Sequence, residues 1–308
     1  MWKPPRRPTQ LKQDAGEYFR DPNAAWCPEY PLEPAVRAIL AQNVGVEPQS
    51  VDLFTCTSTL RNLLSFLQQE QPSFNFCTDV IGETVFFVRR PRSSTETVID
   101  TQGFALTLAR KYLEREHGSK SHQRVISYKF QGLRCCVRFE CYGYLKGQGT
   151  PPKLTPEGLE MMPPSEYLHV NQGGKVIAQE AIFDLRTRAA YKKGKDALPG
   201  VIERLWVTQT PNFVMAYHKY GIFNDIEIQD RREDIATWEK NNQELLAQLG
   251  RLLRKIMDAA KNTIGGRCEV SSSAHGELEI RTPMGDGSRA LPDFLRTAWA
   301  GTPRAIGD

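Results

Sequence analysis

The stretch AIFDLRTRA, residues 181–189, constrains this chain more than any other part of it. Apolar residues lead into an acid, one more apolar residue follows, and then a base: Asp184, Leu185, Arg186. As a strand, the stretch puts alternate side chains on one face. Asp184 and Arg186 then point together, either as an ion pair facing solvent or into a cleft. By the same parity, a strand over Lys175 to Arg188 puts Glu180 on that face too. A buried carboxylate is costly unless paired or metal-bound, so acids gathered from neighbouring strands carry more information than any one alone. Glu140 is such an acid, in the apolar strand VRFECYGYL, Val137 to Leu145. Gln209 follows a short helix, Leu198 to Thr208, with Pro199 in its first turn.

The other periodicities predict an α+β fold, a central mixed sheet flanked by helices. Helical spacing marks Pro34 to Asn43, Leu53 to Leu67, Gly103 to Glu116 and one long helix from Arg231 to Asn262. Ser58 and Thr59 are candidate caps of the second of these, or nucleophiles if the chemistry is covalent. Hairpins are predicted around Gly82, around Gln131-Gly132, over Asn212 to Gln229, and around His275-Gly276. Thr150 to Pro164, rich in proline, is expected to form a flap or insertion.

No shift of composition over the 308 residues demands two domains. The expectation is a basic, proline-rich, mobile arm over 1–30 (MWKPPRRPTQLKQ at its start) and a single α+β domain over 31–308. A net charge of +4 permits an RNA partner without demanding one. No apolar run is long enough to span a bilayer, and the first residues do not read as a secretory signal. The seven cysteines are odd in number and form no Cys-x-x-Cys pair. This argues against zinc and for a reducing, cytoplasmic setting.

The order of elements resembles the DXO family of RNA decapping exonucleases, which have a PD-(D/E)XK nuclease fold. That family's Glu-x-Asp motif matches Glu140-Cys141-Tyr142, and its Glu-x-Lys motif matches Asp184-Leu185-Arg186. Its glutamine after a Trp-containing helix matches Gln209 after Trp206. The resemblance runs from about residue 80 to about residue 260. It has departures. Tyr142 cannot hold Mg²⁺ as a carboxylate does, Arg186 stays protonated at any working pH, and a glutamate expected near Gly103 is replaced by Thr107 in GFALTLARKYL. A two-metal phosphodiesterase needs several carboxylates, so impaired hydrolysis is expected.

The strings LFTCTSTLRNLL and GETVFFVRR, with the patterns SHQRVI-Y-F and GL-VRFE-GYL, resemble a group of fungal proteins identified with the arginine-containing cyclodipeptide synthases. That resemblance implies an aminoacyltransferase that condenses arginine from arginyl-tRNA with a second aminoacyl group to a diketopiperazine. Aminoacyl transfer needs an activated ester, a base and oxyanion donors rather than a metal. On this reading Glu140, Asp184 and Arg186 are catalytic, and Tyr142, Glu180 and Gln209 bind substrate. Aminoacyl-tRNA is the partner, and no metal or cofactor takes part. The alternative is a DXO-like RNA 5′-end decapping exonuclease using Mg²⁺, or its catalytically degraded RNA-binding relative. Under either reading Arg188, Lys192, Lys193, Arg251, Arg254 and Lys255 are expected to track an RNA backbone.

Overall fold

A computed structural model describes residues 1–301 apart from 20–21, 43–46, 71, 90–95, 100–102, 116–118, 120, 151–164, 166–167, 172–174, 196–197, 274–275 and 284–288. The expected flap over Thr150 to Pro164 falls almost wholly outside the described residues, and so does His275 of the last expected turn.

The elements run β1 (Glu17–Phe19), α1 (Pro22–Trp26), α2 (Glu33–Gln42), β2 (Leu53–Cys56), α3 (Thr57–Leu67), β3 (Phe74–Ile81), β4 (Thr84–Arg89) and β5 (Thr97–Ile99). They continue with α4 (Ala105–Tyr112), β6 (Gln123–Phe130), β7 (Leu133–Glu140), β8 (Gly143–Tyr144), β9 (Ile182–Ala189) and α5 (Ile202–Thr208). The last are β10 (Asn212–Lys219), β11 (Ile222–Asp230), α6 (Arg232–Asn241), α7 (Gln243–Asn262), β12 (Glu269–Ser272), β13 (Leu278–Arg281) and α8 (Asp293–Ala300).

Seven strands form a mixed sheet in the order β13-β12-β3-β4-β2-β7-β6, with β2 parallel to both β4 and β7. Its central strands are apolar on both sides, and strand parity assigns each residue to a layer. Leu53, Val85, Phe87, Cys135 and Val137 join α3 and α7 in one core. Phe54, Phe86, Val88 and Cys136 join α2 and α8 in the other. The paired cysteines thus serve as small hydrophobes for opposite layers, and all seven cysteines are buried. A second sheet, β11-β10-β9-β8, sets β9 parallel to β10 through α5. Phe183 and Leu185 face α4 with Leu108, Ala109 and Tyr112. Phe213, Met215 and Tyr217 face Val201 and Leu205 on the α5 side.

The chain passes between the two sheets in a single step. β7 ends at Glu140 in the first, and β8 begins at Gly143 in the second, where Gly143 is in register with Phe183. A Cβ on Gly143 would lie 2.9 Å from Leu113 Cδ2 and 3.1 Å from the Phe183 ring, so a side chain here would have to push Leu113 aside where the strands close.

Three elements differ from the periodicity. Leu53–Cys56 is a fully buried strand, not the first turn of a helix. Four apolar or small residues in a row suit a central strand as well as a helix. Ser58 and Thr59 do not cap α3; Cys56 stands at the cap, its Sγ 3.1 Å from Ser58 Oγ and 3.2 Å from Thr59 Oγ1. The long helix breaks at Asn242, whose backbone leaves the helical region at φ −113°, ψ 24° while its side-chain amide also donates to the Trp238 carbonyl. Upstream of β9 the chain is a 3-10 turn, Gln179–Ala181, so Glu180 lies outside the strand and its expected parity with Asp184 is lost.

The basic N-terminal segment lies along the second sheet. Trp2 N donates to Tyr144 O, Leu11 N donates to Gly221 O, and Leu11 is buried. The buried Asp14 carboxylate accepts from Leu106 N, Thr107 N and Thr107 Oγ1 at the start of α4. Among the described residues no helix is long and apolar enough to cross a membrane.

Candidate functional site

Where the two sheets meet, β9 brings Asp184 inward. Its side chain is 5% exposed, and Oδ1 accepts the Leu185 amide at 2.9 Å. Oδ2 lies 3.1 Å from Nε of Arg204 on α5, at ion-pair distance but without an aligned hydrogen bond. Arg204 also reaches the Glu140 carbonyl at 3.5 Å, and its guanidinium carbon lies 5.8 Å from the Tyr142 ring centroid. Asp184 is the largest influence raising the Arg204 pKa, which holds this group firmly charged. A second guanidinium, Arg61 of α3, has a buried Nε without a hydrogen-bond partner. Its pKa is lowered, first by burial and then by the positive charge of Arg204. Arg186 adds to that repulsion, while Glu203 and Asp184 oppose it. Burial, and next Asp184, raise the Tyr142 hydroxyl.

The structure gathers Glu140, Tyr142, Asp184 and Arg186 and adds Arg61 and Arg204. Neither of the two was legible, because each comes from a helix whose facing toward β9 depends on tertiary packing. Arg186 is exposed, and Nη2 donates to Gly200 O at 3.3 Å. Glu180 and Gln209 sit apart from this group. Both line a neighbouring cleft of about 360 Å³ with Gln179, Pro211, Ile235 and Glu239. Gln209 caps α5 in the left-handed region, φ 48°, and its amide folds back on the Trp206 carbonyl at 2.5 Å. Gln179 Nε2 donates to the Thr208 and Gln209 carbonyls, a bond that ties the turn before β9 to the end of α5.

The basic residues fall in two groups. Arg188 is at the end of β9 and donates to Lys195 O at 2.9 Å. Lys192 lies over the Tyr191 ring, while Lys193 is held by Asp225 at 2.5 Å and Glu227 at 2.8 Å. On α7, Arg251 pairs with Glu244 at 3.0 Å and Arg254 donates to the Gln131 carbonyl. Lys255 shares that helix.

A divalent ion asks for several oxygen donors without competing cations. As arranged, Asp184 is occupied by Arg204, and Arg61 and Arg186 stand close by. Among the described residues no group of three or more His, Cys, Asp or Glu side chains is placed to hold an ion. The donor set in this conformation does not fit a two-metal centre.

A family model described as Domain of unknown function (DUF8563) matches residues 1–285. No curated protein matches the sequence. Among solved structures the chain is similar to S. pombe Rai1 in complex with 3′-FADP, with TM-score 0.53, 11% identity, and coverage of 90% of this chain and 87% of that one. Candida albicans Rai1 in complex with pU5-Mn²⁺ gives TM-score 0.52 and 9% identity over 82% of this chain and 75% of that one. K. lactis Dxo1 in complex with manganese gives 0.50 and 8% over 82% and 70%.

These likenesses establish the fold: a mixed α+β architecture of the Rai1/Dxo1 nuclease-like kind. They also correct the functional expectation. The neighbours are Rai1 and Dxo1, not aminoacyl-tRNA-dependent transferases, and the cyclodipeptide synthase assignment falls with its arginine substrate and diketopiperazine product. Much of what suggested it is structural, since LFTCTSTLRNLL is β2 and most of α3 and all but the last residue of GETVFFVRR is the turn before β4 and that strand. The ligands crystallised with the neighbours are an RNA, a nucleotide and manganese, which overturns aminoacyl-tRNA as the expected partner. The expectation of chemistry without any metal gives way on the same finding.

Proposed function

The chain belongs to the family described as Domain of unknown function (DUF8563), and we propose that it is an RNA-end-binding relative of the Rai1 and Dxo1 proteins. Its cleft holds the phosphorylated 5′ terminus of RNA at Arg61, Arg186 and Arg204. The observation that carries this reading is the charge at the sheet junction: the buried Asp184 carboxylate is paired with Arg204, and Arg61 and Arg186 add positive charge to the same neighbourhood. Guanidinium forks match phosphate oxygens with charge-assisted hydrogen bonds. The unpartnered Nε of Arg61 is a donor awaiting an acceptor. Glu140, Tyr142 and Asp184 hold Arg204 in place rather than contact a metal, and Arg188 and Lys192 extend the positive surface along β9 and beyond. Lys193, Arg251 and Arg254 join that surface if their present partners release them, and Lys255 joins it from the same helix as the two arginines. Residues 1–30 and 31–308 act as one arm and one domain in this proposal, in a reducing cytoplasm that suits seven buried cysteines.

The test is the affinity of the full chain for a 5′-phosphorylated RNA oligonucleotide against its 5′-hydroxyl counterpart, with and without Mn²⁺. The recovered RNA is then checked for length. Tighter binding of the phosphorylated end, weakened by Arg61→Gln and Arg186→Gln, is expected. Equal affinity for both ends would refute the reading. Candida albicans Rai1 with pU5-Mn²⁺ favours a second reading, a metal-dependent RNA hydrolase, and shortening of the RNA in Mn²⁺ is the result that would select it.

A further inference from the structure

Strand β9 does not end its charged face at the cleft. Asp184, Arg186 and Arg188 alternate along one side of it. Four residues of strand carry that face about 13 Å from Asp184 to Arg188 at roughly 3.3 Å per residue. Directly beyond β9 comes a short 3-10 turn, Ala190–Lys192, which presents Tyr191 to solvent. Tyr191 is 78% exposed, with Lys192 Nζ 5.7 Å from the ring centroid. A large aromatic side chain left in water has given up its ordinary stabilising use. A lone exposed ring needs no explanation, but this one lies beside a cation and in the turn that directly follows the strand bearing Arg186 and Arg188.

We propose that Tyr191 is a stacking platform for a base of single-stranded RNA, a few nucleotides from the terminal phosphate held at Arg61, Arg186 and Arg204. This deepens the proposed function and rests on it. Arginines that track phosphates, with an aromatic face beside them, are what sequence-tolerant single-strand binding requires, because every base offers a π-face. Arg188 meets the backbone and Lys192 steadies the phosphate next to the stacked base. The ring sets no base preference of its own, and its contribution is insensitive to salt, unlike that of the arginines.

The experiment measures binding of 5′-phosphorylated U1 and U5 to the full chain and to Tyr191→Ala, Tyr191→Phe and Tyr220→Ala. Tyr220 is the control, an equally bare ring, 83% exposed, in the turn between β10 and β11. Tyr191→Ala is expected to weaken U5 binding about fivefold to a hundredfold. It should leave U1 binding and the salt slope unchanged. Tyr191→Phe should bind as the parent does, and so should Tyr220→Ala. If the parent binds U5 in preference to its 5′-hydroxyl form while Tyr191→Ala matches it, the platform is wrong and the cleft reading stands. If the parent shows no preference for the phosphorylated end, both are wrong.

Discussion

Replacing Arg204 by Met keeps much of the side chain's bulk on α5 and removes the partner of a carboxylate that is only 5% exposed. Rupture of a fully buried ion pair costs about 3–5 kcal/mol, whereas an exposed pair contributes about 0–1 kcal/mol. Arg204 keeps 28% of its side chain in solvent, which places the loss between these, at about 2.5 kcal/mol. For a chain of this size that lowers Tm by roughly 5 °C. Asp184→Asn in the same background removes the stranded charge, so the double variant should be less destabilised than the sum of the two singles. The expected coupling is about 1–2 kcal/mol. Thermal melts of the four proteins in one buffer provide the cycle. Additive losses, within about 0.5 kcal/mol, would mean that Arg204 and Asp184 do not depend on each other, and the account of a self-neutralised acid in the cleft would fail.

Burial raises the thiols of Cys27, Cys136 and Cys141 from 9.0 to about 11. The unfolded chain then loses these protons first, holds fewer than the folded chain, and gains stability relative to it as pH rises. The urea midpoint should therefore fall between pH 9 and about 11, less steeply in Cys141→Ala; an equal slope in that variant would remove Cys141 from the explanation. Gly221 has φ +82°, and a Cβ there would lie 2.4 Å from the Leu11 carbonyl oxygen. Gly221→Ala should cost at least about 1–3 kcal/mol and speed proteolysis within residues 1–14, and an unchanged cleavage rate would dissociate that segment from the hairpin. Asp14→Ala removes three hydrogen bonds at the start of α4 and should cost about 1–2 kcal/mol; melting at the parent temperature would show that α4 does not rely on this cap. Arg186→Gln with Arg188→Gln should flatten the salt dependence of RNA binding by about one unit per lost phosphate contact, and an unchanged slope would remove them from the track.

Local pattern was enough to read a strand through Asp184 with Arg186 two residues on, but it left solvent and cleft both open and started the strand at Lys175 where the structure starts it at Ile182. The hairpin turns were equally legible. Gln131-Gly132 and Tyr220-Gly221 both adopt positive φ, as two-residue hairpin loops demand. The boundary between β2 and α3 was not, since LFTC satisfies a buried strand and a helical start alike. Glu180 failed for a different reason: parity holds only while the strand lasts, and the turn at Gln179–Ala181 resets it. Arg204 and Arg61 were out of reach, because their meeting with Asp184 depends on how α3 and α5 pack on two different sheets. The cyclodipeptide synthase assignment leaned on strings that turned out to build the core, where sequence likeness reports packing more than chemistry.

The last helix bears on how this protein should be produced. Asp79 of β3 is wholly buried, and its Oδ2 accepts from Ala290 N at 2.8 Å and from Arg296 at 2.5 Å. Trp299 is equally buried, packs edge-on against Phe54 and Phe86, and donates to Thr84 Oγ1 at 2.9 Å. The family match stops at residue 285, short of all these contacts. A recombinant chain trimmed to that boundary would leave a carboxylate without its cation inside the sheet and uncover two stacked phenylalanines. Such a product should go to inclusion bodies, whereas one extended through Gly301 keeps its own lid on the core.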